Sequence, residues 1–400
     1  MDDETIKLLL IFGVSGLFLL NILSYYSSKI KLLPDIIWIL LLGVGYSSIL
    51  AYSKDELPQL SLQPDLVLYI FVPLLVFAST QKMCLSHFKK VLLPASIIAS
   101  LGILISMVVI AVPLSYFFNI NILYSLLFGA IISATDPLAV GALLSSNNKI
   151  PEEQKLLIEG ESILNDGFVV TIFGILSVII FSNERFVLTD GILELMLHIL
   201  GALVVGVILG RFGRYLLYKW HEKHFILTVN MTLAIAYSSF FIGEYFEFSG
   251  ILSVFSAALA YGYKPNKNDH DTDIHEHVWE YFEYLANSIL FFMLGASLFT
   301  YFSWQTINII MVAVSLCLLF ISRPISLAML HPFIFVQRKK LNLKEFNLLN
   351  FAGARGAVSI ALILLLPESF QLKQVFLSLA FIMVFTSLIL YPLIIKRILK

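Results

Sequence analysis

Residues 122–144 read ILYSLLFGAIISATDPLAVGALL, an apolar run interrupted by an Asp-Pro pair. The run is long enough to cross a bilayer, because a transmembrane helix needs about 20 apolar residues. Pro137 lacks a backbone donor and its ring clashes with the preceding turn, so we expect the helix to break beside Asp136. Broken helices are tolerated at membrane depth only against protein or a water-filled cavity, and their free carbonyls suit cation binding. The alternative is a simple proline kink with a buried, hydrogen-bonded aspartate.

The composition of the whole chain is that of a membrane protein. Of its 400 residues, 59% are hydrophobic and 13% are charged, and the mean hydropathy is +0.90. Ordinary globular domains carry about 25% charged residues. The net charge of -1 and the lack of a basic stripe argue against a nucleic-acid partner. We therefore expect lipid to be the main surroundings of the chain.

A hydropathy window of about 19 residues predicts an all-α polytopic membrane protein of about thirteen transmembrane helices. The predicted spans are 5–27, 34–52, 65–81, 91–118, 121–144, 154–182, 190–210, 224–243, 248–263, 279–299, 304–336, 346–366 and 372–395. The acidic start of the chain and the length of the first run favour a retained span over a signal peptide. No soluble domain is predicted, so residues 1–400 form a single membrane domain.

Basic residues alternate along the connections between these spans. Twenty of the 26 Lys and Arg residues fall on one side, and only four fall on the other. The positive-inside rule therefore predicts that the N-terminus is outside and the C-terminus is cytoplasmic.

Ionisable residues inside the spans are the candidates for function, because a charge at the bilayer centre is costly unless it is paired or lines a cavity. They are Asp136, Glu161, Asp166, Arg323 and Arg355. Residues 159–167 read EGESILNDG, which places two of these carboxylates on one buried segment. Ser162 and Asp166 are four apart, as are Glu161 and Asn165, so each pair shares a helix stripe.

Two carboxylates so close together repel each other, so at least one needs a cationic partner. Arg323 and Arg355 are the candidates within the spans. Arginine keeps its proton, so a pair between Glu161 and one of them is a fixed element that leaves Asp166 free to exchange ligands. The alternative is that all four groups form one static buried network.

A second interrupted helix is predicted in the twelfth span, where Gly353 and Gly356 bracket Arg355. If spans one to six and eight to thirteen are inverted repeats, the fifth and twelfth spans correspond. Corresponding broken helices point to the midplane site of a secondary transporter.

Four motifs together resemble one family of transporters. They are TDP at residues 135–137, ESILND at residues 161–166, Arg323 in the eleventh span and GARGA at residues 353–357. The chain is similar in these motifs to the NhaP-like and animal sodium/proton exchangers of the cation:proton antiporter 1 family. The resemblance implies the NhaA-like antiporter fold, with inverted repeats and crossed discontinuous helices.

The same resemblance assigns roles to individual residues. It implies that Asp166 is the exchanging carboxylate and that Asp136, the Thr135 carbonyl and Ser162 help to bind the cation, Asn165 being a structural neighbour. It further implies that Glu161 pairs with Arg323 and that Arg355 balances helix-end dipoles at the crossing.

The resemblance also implies a division of the chain and a function. The core is expected at residues 91–182 and 304–395, the dimerisation scaffold at residues 5–81 and 224–299, and a linker helix at residues 190–210. The expected activity is exchange of a monovalent cation, Na⁺ or else Li⁺ or K⁺, for H⁺, in a homodimer of a bacterial or archaeal plasma membrane. Because a fixed Glu161–Arg323 pair leaves one exchanging carboxylate, we expect one H⁺ for one cation, which is electroneutral. No cofactor is implied beyond the transported Na⁺ and H⁺.

One position departs from the family pattern. Many microbial members carry an acidic residue in the third span where this chain has Ala78, within FVPLLVFAST. A transport-impaired relative is therefore one alternative, and a cation channel is another. A channel needs a filter pattern and an enzyme needs a nucleophile or metal motif, and the sequence contains neither.

Residues 266–277 read NKNDHDTDIHEH and are dense in His and Asp. The simplest interpretation is a solvated cytoplasmic loop. The alternatives are a pH sensor or an adventitious divalent-metal site.

Overall fold

The computed structural model describes residues 16, 18–23, 25, 26, 34–52, 60, 62–83, 85–136, 138–145, 150–181, 188–219, 225–262, 270–336 and 339–399. Of the predicted first span only residues 16, 18–23, 25 and 26 are described, and they are helical; the rest of that span lies outside the described residues. The described chain is helical apart from turns, short extended segments and one small hairpin. That hairpin pairs β1 (Phe335–Val336) antiparallel with β2 (Lys339–Lys340).

The helices follow one another closely along the chain. In order they are α1 (Asp35–Tyr52), α2 (Val72–Gln81), α3 (Leu85–Ile97), α4 (Ile103–Phe118), α5 (Ile122–Ser133), α6 (Leu138–Ser145), α7 (Glu152–Phe181), α8 (Leu188–Lys219), α9 (Phe225–Tyr245), α10 (Gly250–Tyr261), α11 (His270–Ala296), α12 (Ile309–Leu330), α13 (Leu343–Ala352), α14 (Ala357–Leu364) and α15 (Lys373–Leu399). Short helical turns at Pro64–Leu66, Leu298–Tyr301 and Trp304–Thr306 lie between them. The π turn Val67–Phe71 leads into α2, and the π turn Ile98–Gly102 joins α3 to α4.

Seven helices of the described part are long and apolar enough to cross a membrane. The number is eight if the bent pair His275–Ala296 and Leu298–Thr306 is one span. Asp35–Leu50, Ile122–Ser133 and Gly250–Tyr261 are shorter apolar helices. The all-α polytopic class is thus confirmed, whereas the count of thirteen spans stays a prediction.

The helix predicted over residues 122–144 is broken, and so is the helix predicted over residues 346–366. The first gives α5 and α6, separated by the extended residues Ala134 and Thr135 and by Asp136; the second gives α13 and α14, separated by residues 353–356. The breaks touch each other, because the Asp136 N–H donates to the Ala354 carbonyl at 2.6 Å in an antiparallel bridge. The two broken helices therefore cross, as the predicted fold requires, although Pro137 itself lies outside the described residues.

Part of the His- and Asp-rich segment is not a loop. Residues 270–277 form the start of α11, and His275 is buried, with its ring 3.5 Å from the Thr232 hydroxyl. The loop interpretation is wrong for these residues, since burying the face that carries His275 and Trp279 stabilises a helix there. Glu276 and His277 of this helix are exposed. Residues 266–269 lie outside the described part of the chain.

Candidate ion-binding site

Polar side chains on one face of α7 line a cavity. Glu159, Ser162 and Asp166 are spaced three and four apart on this unbroken 30-residue helix, so they share a face. All three line a cavity of about 480 Å³ that also reaches the crossing through Thr135 and Asp136. Asp166 is partly buried, so its carboxylate adjoins the cavity rather than the packed interior alone.

Thr135 connects the first break to α7. Its backbone carbonyl accepts a hydrogen bond from the Ser162 hydroxyl. Its side-chain oxygen accepts one from the Asn165 amide at 2.8 Å and lies 3.4 Å from a Glu161 carboxylate oxygen. The structure thus brings Thr135 together with three residues of α7, which are Glu161, Ser162 and Asn165. These α7 side chains hold the break at residues 134–136 in place.

Glu161 forms a buried ion pair with Arg323 of α12. The two guanidinium nitrogens donate to the two carboxylate oxygens at 3.1 and 2.9 Å. Both side chains are almost fully buried, at 2% and 7% exposure. Arg323 also donates to the Leu349 carbonyl at 3.1 and 3.3 Å, near the end of α13. A two-pronged pair of this kind has a fixed geometry, so Glu161 is held away from the cavity.

Arg355 lies in the second break and reaches the end of α5. Its guanidinium donates to the carbonyl of Ser133 at 2.7 Å and to that of Ala134 at 3.3 Å. Its backbone N–H donates to the Ser387 hydroxyl of α15 at 2.9 Å. A helix C-terminus carries partial negative charge, so Arg355 is placed to stabilise α5 as Arg323 is placed to stabilise α13.

Gly356 leaves the space that Asp136 occupies. A Cβ atom at Gly356 would lie 2.5 Å from Asp136 Oδ2 and 2.6 Å from its Cβ. Any other residue would therefore displace this carboxylate, which lines the cavity beside Gly356 itself.

The cavity is also lined by charged residues that the motifs did not single out. Lys82 Nζ and Glu283 Oε2 form an ion pair at 2.7 Å, with 43% and 21% of their side chains exposed. Among the described residues, the carboxylates that line the cavity are Asp136, Glu159, Asp166, Glu280 and Glu283, and the lysine is Lys82. An excess of carboxylates over basic groups raises the local concentration of cations. Glu159 could have been predicted from sequence to share the face of Asp166, since seven residues are about two helical turns. The cavity-lining residues of α11 had no such signal.

The candidate ligands are oxygen atoms of mixed type. Two carboxylates, a hydroxyl and a backbone carbonyl meet the cavity at the crossing. In the described part of the chain, no three His, Cys, Asp or Glu side chains form a metal-binding group. Oxygen ligands of this mixed kind are suited to hard cations.

Ala78 is fully buried and is not among the cavity-lining residues, which from α2 include Val72, Leu75 and Ser79.

Crossed broken helices, with carboxylates and helix ends meeting at an open cavity, define an integral membrane protein of the secondary-transporter class. Comparison with known proteins agrees with this class. The family of sodium/hydrogen exchangers, transmembrane, matches residues 15–400. The Na⁺/H⁺ antiporter ApNhaP of Aphanothece halophytica is 30% identical over 374 residues, which are 92% of this chain and 69% of the relative.

A second relative and a solved structure extend the comparison. The low-affinity Na⁺/H⁺ antiporter NhaS1 of Synechocystis sp. is 28% identical over 361 residues, which are 88% of this chain and 67% of that protein. The structure of the sodium proton antiporter MjNhaP1 from Methanocaldococcus jannaschii has the same fold, with a TM-score of 0.77 at 21% identity over 100% of this chain and 96% of that one. The chain belongs to the sodium/hydrogen exchanger family, and it is a transporter rather than an enzyme.

Proposed function

We propose that this protein exchanges a monovalent cation, Na⁺ in the first place and Li⁺ or K⁺ as alternatives, for H⁺ across a membrane. The observation that carries the proposal is that two carboxylates on α7, those of Glu161 and Asp166, have different surroundings. Glu161 is locked to Arg323, whereas Asp166 lines the open cavity. Only a carboxylate with access to the cavity can exchange one bound cation for another. Family membership supports the same activity.

The mechanism is competition for Asp166. Either a proton or a dehydrated cation neutralises its carboxylate, and Asp136, the Thr135 carbonyl and Ser162 supply further oxygens to the cation. The loaded site is close to neutral and can move past the opposite wall at low cost. An empty, ionised Asp166 faces a desolvation cost of several kcal/mol in the same motion, which suppresses leak and couples the two fluxes.

The moving and fixed parts follow the division predicted from sequence. We assign residues 91–182 and 304–395 to the core, residues 5–81 and 224–299 to the scaffold, and residues 190–210 to the linker helix. The position of the cavity supports this division, since it lies between α7 of the core and α2 and α11 of the scaffold. We further propose that the protein is a homodimer in a plasma membrane, which its family supports. We place the N-terminus outside and the C-terminus in the cytoplasm, which the distribution of basic residues in the connections supports.

The test uses sealed proteoliposomes with a pH-sensitive dye inside. A Na⁺ gradient should change the internal pH with the native protein, and Asp166→Asn should abolish that change. Asp65→Asn is the matched control, because Asp65 is exposed at the start of the Pro64–Leu66 turn and does not line the cavity. Full exchange by Asp166→Asn would remove this carboxylate from the mechanism.

The same assay separates the alternatives. A carrier saturates with Na⁺ and collapses an imposed pH gradient, whereas a channel passes Na⁺ without moving protons. A transport-impaired relative, the reading favoured by Ala78, would show neither flux. Repeating the assay with Li⁺ and K⁺ then identifies the cation.

A further inference from the structure

A second polar stripe faces the cavity from α11. Its polar members are Glu280, Glu283, Tyr284 and Asn287, and Leu290 follows them. Glu280 and Tyr284 are four residues apart, as are Glu283 and Asn287. This spacing places them on one face of the helix. The cavity therefore has two polar walls, the α7 stripe that ends at Asp166 and the α11 stripe that contains Asn287.

Asn287 has an unused hydrogen-bond acceptor. Its side chain lines the cavity and is only 4% exposed, and its amide oxygen accepts no hydrogen bond. The neighbouring Ser288, also buried, is satisfied, because its hydroxyl donates to the Tyr284 carbonyl at 2.7 Å. A buried carbonyl without a partner costs about 1 to 3 kcal/mol. A buried amide oxygen without a protein partner, on a residue that lines a cavity, calls for an explanation, and a bound water or cation supplies one.

Helix spacing relates Asn287 to the charged residues of the cavity. The Lys82–Glu283 ion pair is partly exposed, so we place the cavity mouth beside it. Asn287 lies one turn beyond Glu283 on α11, about 6 Å at the α-helical rise per residue. Glu159 lines the same cavity from α7 and precedes Asp166 by seven residues, about 10 Å along that helix.

We propose that Asn287 of α11 and Glu159 of α7 form an outer binding site for a monovalent cation, nearer the cavity mouth than Asp166. Glu159 supplies charge and Asn287 a neutral oxygen, both suited to alkali cations. Glu283 is already paired with Lys82, so its charge is largely compensated. The cavity of about 480 Å³ exceeds the share of one liquid water, about 30 Å³, many times over. The cation at this site therefore keeps much of its water before Asp166 removes it.

The inference rests on the proposed exchange activity and is tested first by Na⁺ dependence in proteoliposomes. Asn287→Leu conserves size but removes the oxygen. It should raise the Na⁺ concentration for half-maximal exchange about tenfold, as expected for loss of one ligand to a charged group, with the maximal rate unchanged. Asn287→Asp keeps an oxygen and should retain the native half-saturation or lower it. Ser288→Ala, on the same helix, is the control and should behave as the native protein.

The thermal midpoint of Asn287→Leu separates a ligand from a structural amide. Because the oxygen has no partner in the protein, the midpoint should stay the same or rise. A marked fall, or an unchanged Na⁺ half-saturation, would overturn the outer site.

Equilibrium binding of radioactive sodium to detergent-purified protein distinguishes this inference from the proposed function. Asp166→Asn should retain weak Na⁺ binding at the outer site, and adding Asn287→Leu or Glu159→Gln should remove it. Complete loss of Na⁺ binding in Asp166→Asn alone would contradict the outer site while leaving competition at Asp166 intact. Undiminished exchange by Asp166→Asn would instead contradict competition at Asp166, and absence of exchange by the native protein would contradict the proposed function.

Discussion

Arg323 and Arg355 are each matched to specific partner groups at the crossing of the broken helices. Arg323 binds both Glu161 and the Leu349 carbonyl, and Arg355 binds the carbonyls that end α5. Arginine is suited to both positions because its guanidinium keeps its charge and donates in several directions. Asp166 differs because its surroundings include an open cavity.

The Glu161–Arg323 pair should be needed for stability as a unit. Arg323→Met leaves a buried carboxylate without its counter-charge, which should lower the free energy of unfolding by about 3 to 5 kcal/mol. Glu161→Gln leaves a buried guanidinium and should cost a similar amount. The double variant restores neutrality, so its loss should be smaller than the sum of the two single losses. Thermal unfolding of detergent-purified protein measures all three, and strictly additive losses would show that the pair is not coupled.

Part of the site can be predicted from sequence alone. The rarity of charge in lipid singles out Asp136, Glu161, Asp166, Arg323 and Arg355, because each is costly unless it is used. The residue pattern alone could not choose which arginine meets Glu161, whereas the family resemblance implied Arg323. The structure places Arg323 at 2.9 Å from Glu161. Asn287 is a neutral residue in an amphipathic helix, and nothing in its sequence context distinguishes it from a packed amide.

At the scale of helices, the crossing depends on glycines as much as on charges. Gly353 lies against Arg323, since an added Cβ would be 2.5 Å from the guanidinium carbon, and Gly356 lies against Asp136. The glycines let two backbones approach closely enough for the Asp136 N–H to reach the Ala354 carbonyl.

Gly356→Ala should therefore impair cation binding before it impairs folding. The new methyl group must displace the Asp136 carboxylate, whereas the bridge between the breaks uses backbone atoms alone. We expect the Na⁺ half-saturation of exchange to rise about tenfold, equivalent to ~1.4 kcal/mol. Gly174→Ala in α7 is the matched control, because nothing lies within 4 Å of its added Cβ. Equal Na⁺ dependence of the two variants would show that the position of Asp136 does not matter for binding.

Helix boundaries show where sequence reasoning succeeds and fails at this scale. Proline and glycine predicted both breaks, because they act on the backbone locally. The start of α11 at His270 was missed, since polar residues 270–277 lack the apolar run by which spans are recognised. The spacing Gly206-x-x-x-Gly210 in α8 could have predicted its close packing on α10, where an added Cβ would lie 2.0 and 2.2 Å from the Ser253 and Ala257 carbonyls.

At the scale of the whole molecule, the charge moved per cycle is set by which carboxylates titrate. Glu161 is held by two hydrogen bonds from Arg323 and does not line the cavity, so we do not expect it to exchange ligands there. If Asp166 alone alternates between H⁺ and a monovalent cation, one positive charge leaves for each that enters. Competition further predicts that Na⁺ half-saturation rises as the pH falls while the maximal rate holds.

Electroneutral exchange is therefore the expected outcome, and the membrane potential tests it. A net charge crossing the membrane would experience about 2.3 kcal/mol per 100 mV, enough to change the rate manyfold. A potential imposed with K⁺ and valinomycin, at a fixed Na⁺ gradient and with the pH buffered, should leave the initial exchange rate unchanged for the native protein. Glu159→Gln should behave likewise, because Glu159 is proposed to gather cations rather than to carry protons. Acceleration by one polarity and slowing by the other would mean that a second carboxylate, such as Asp136, releases a proton in each cycle.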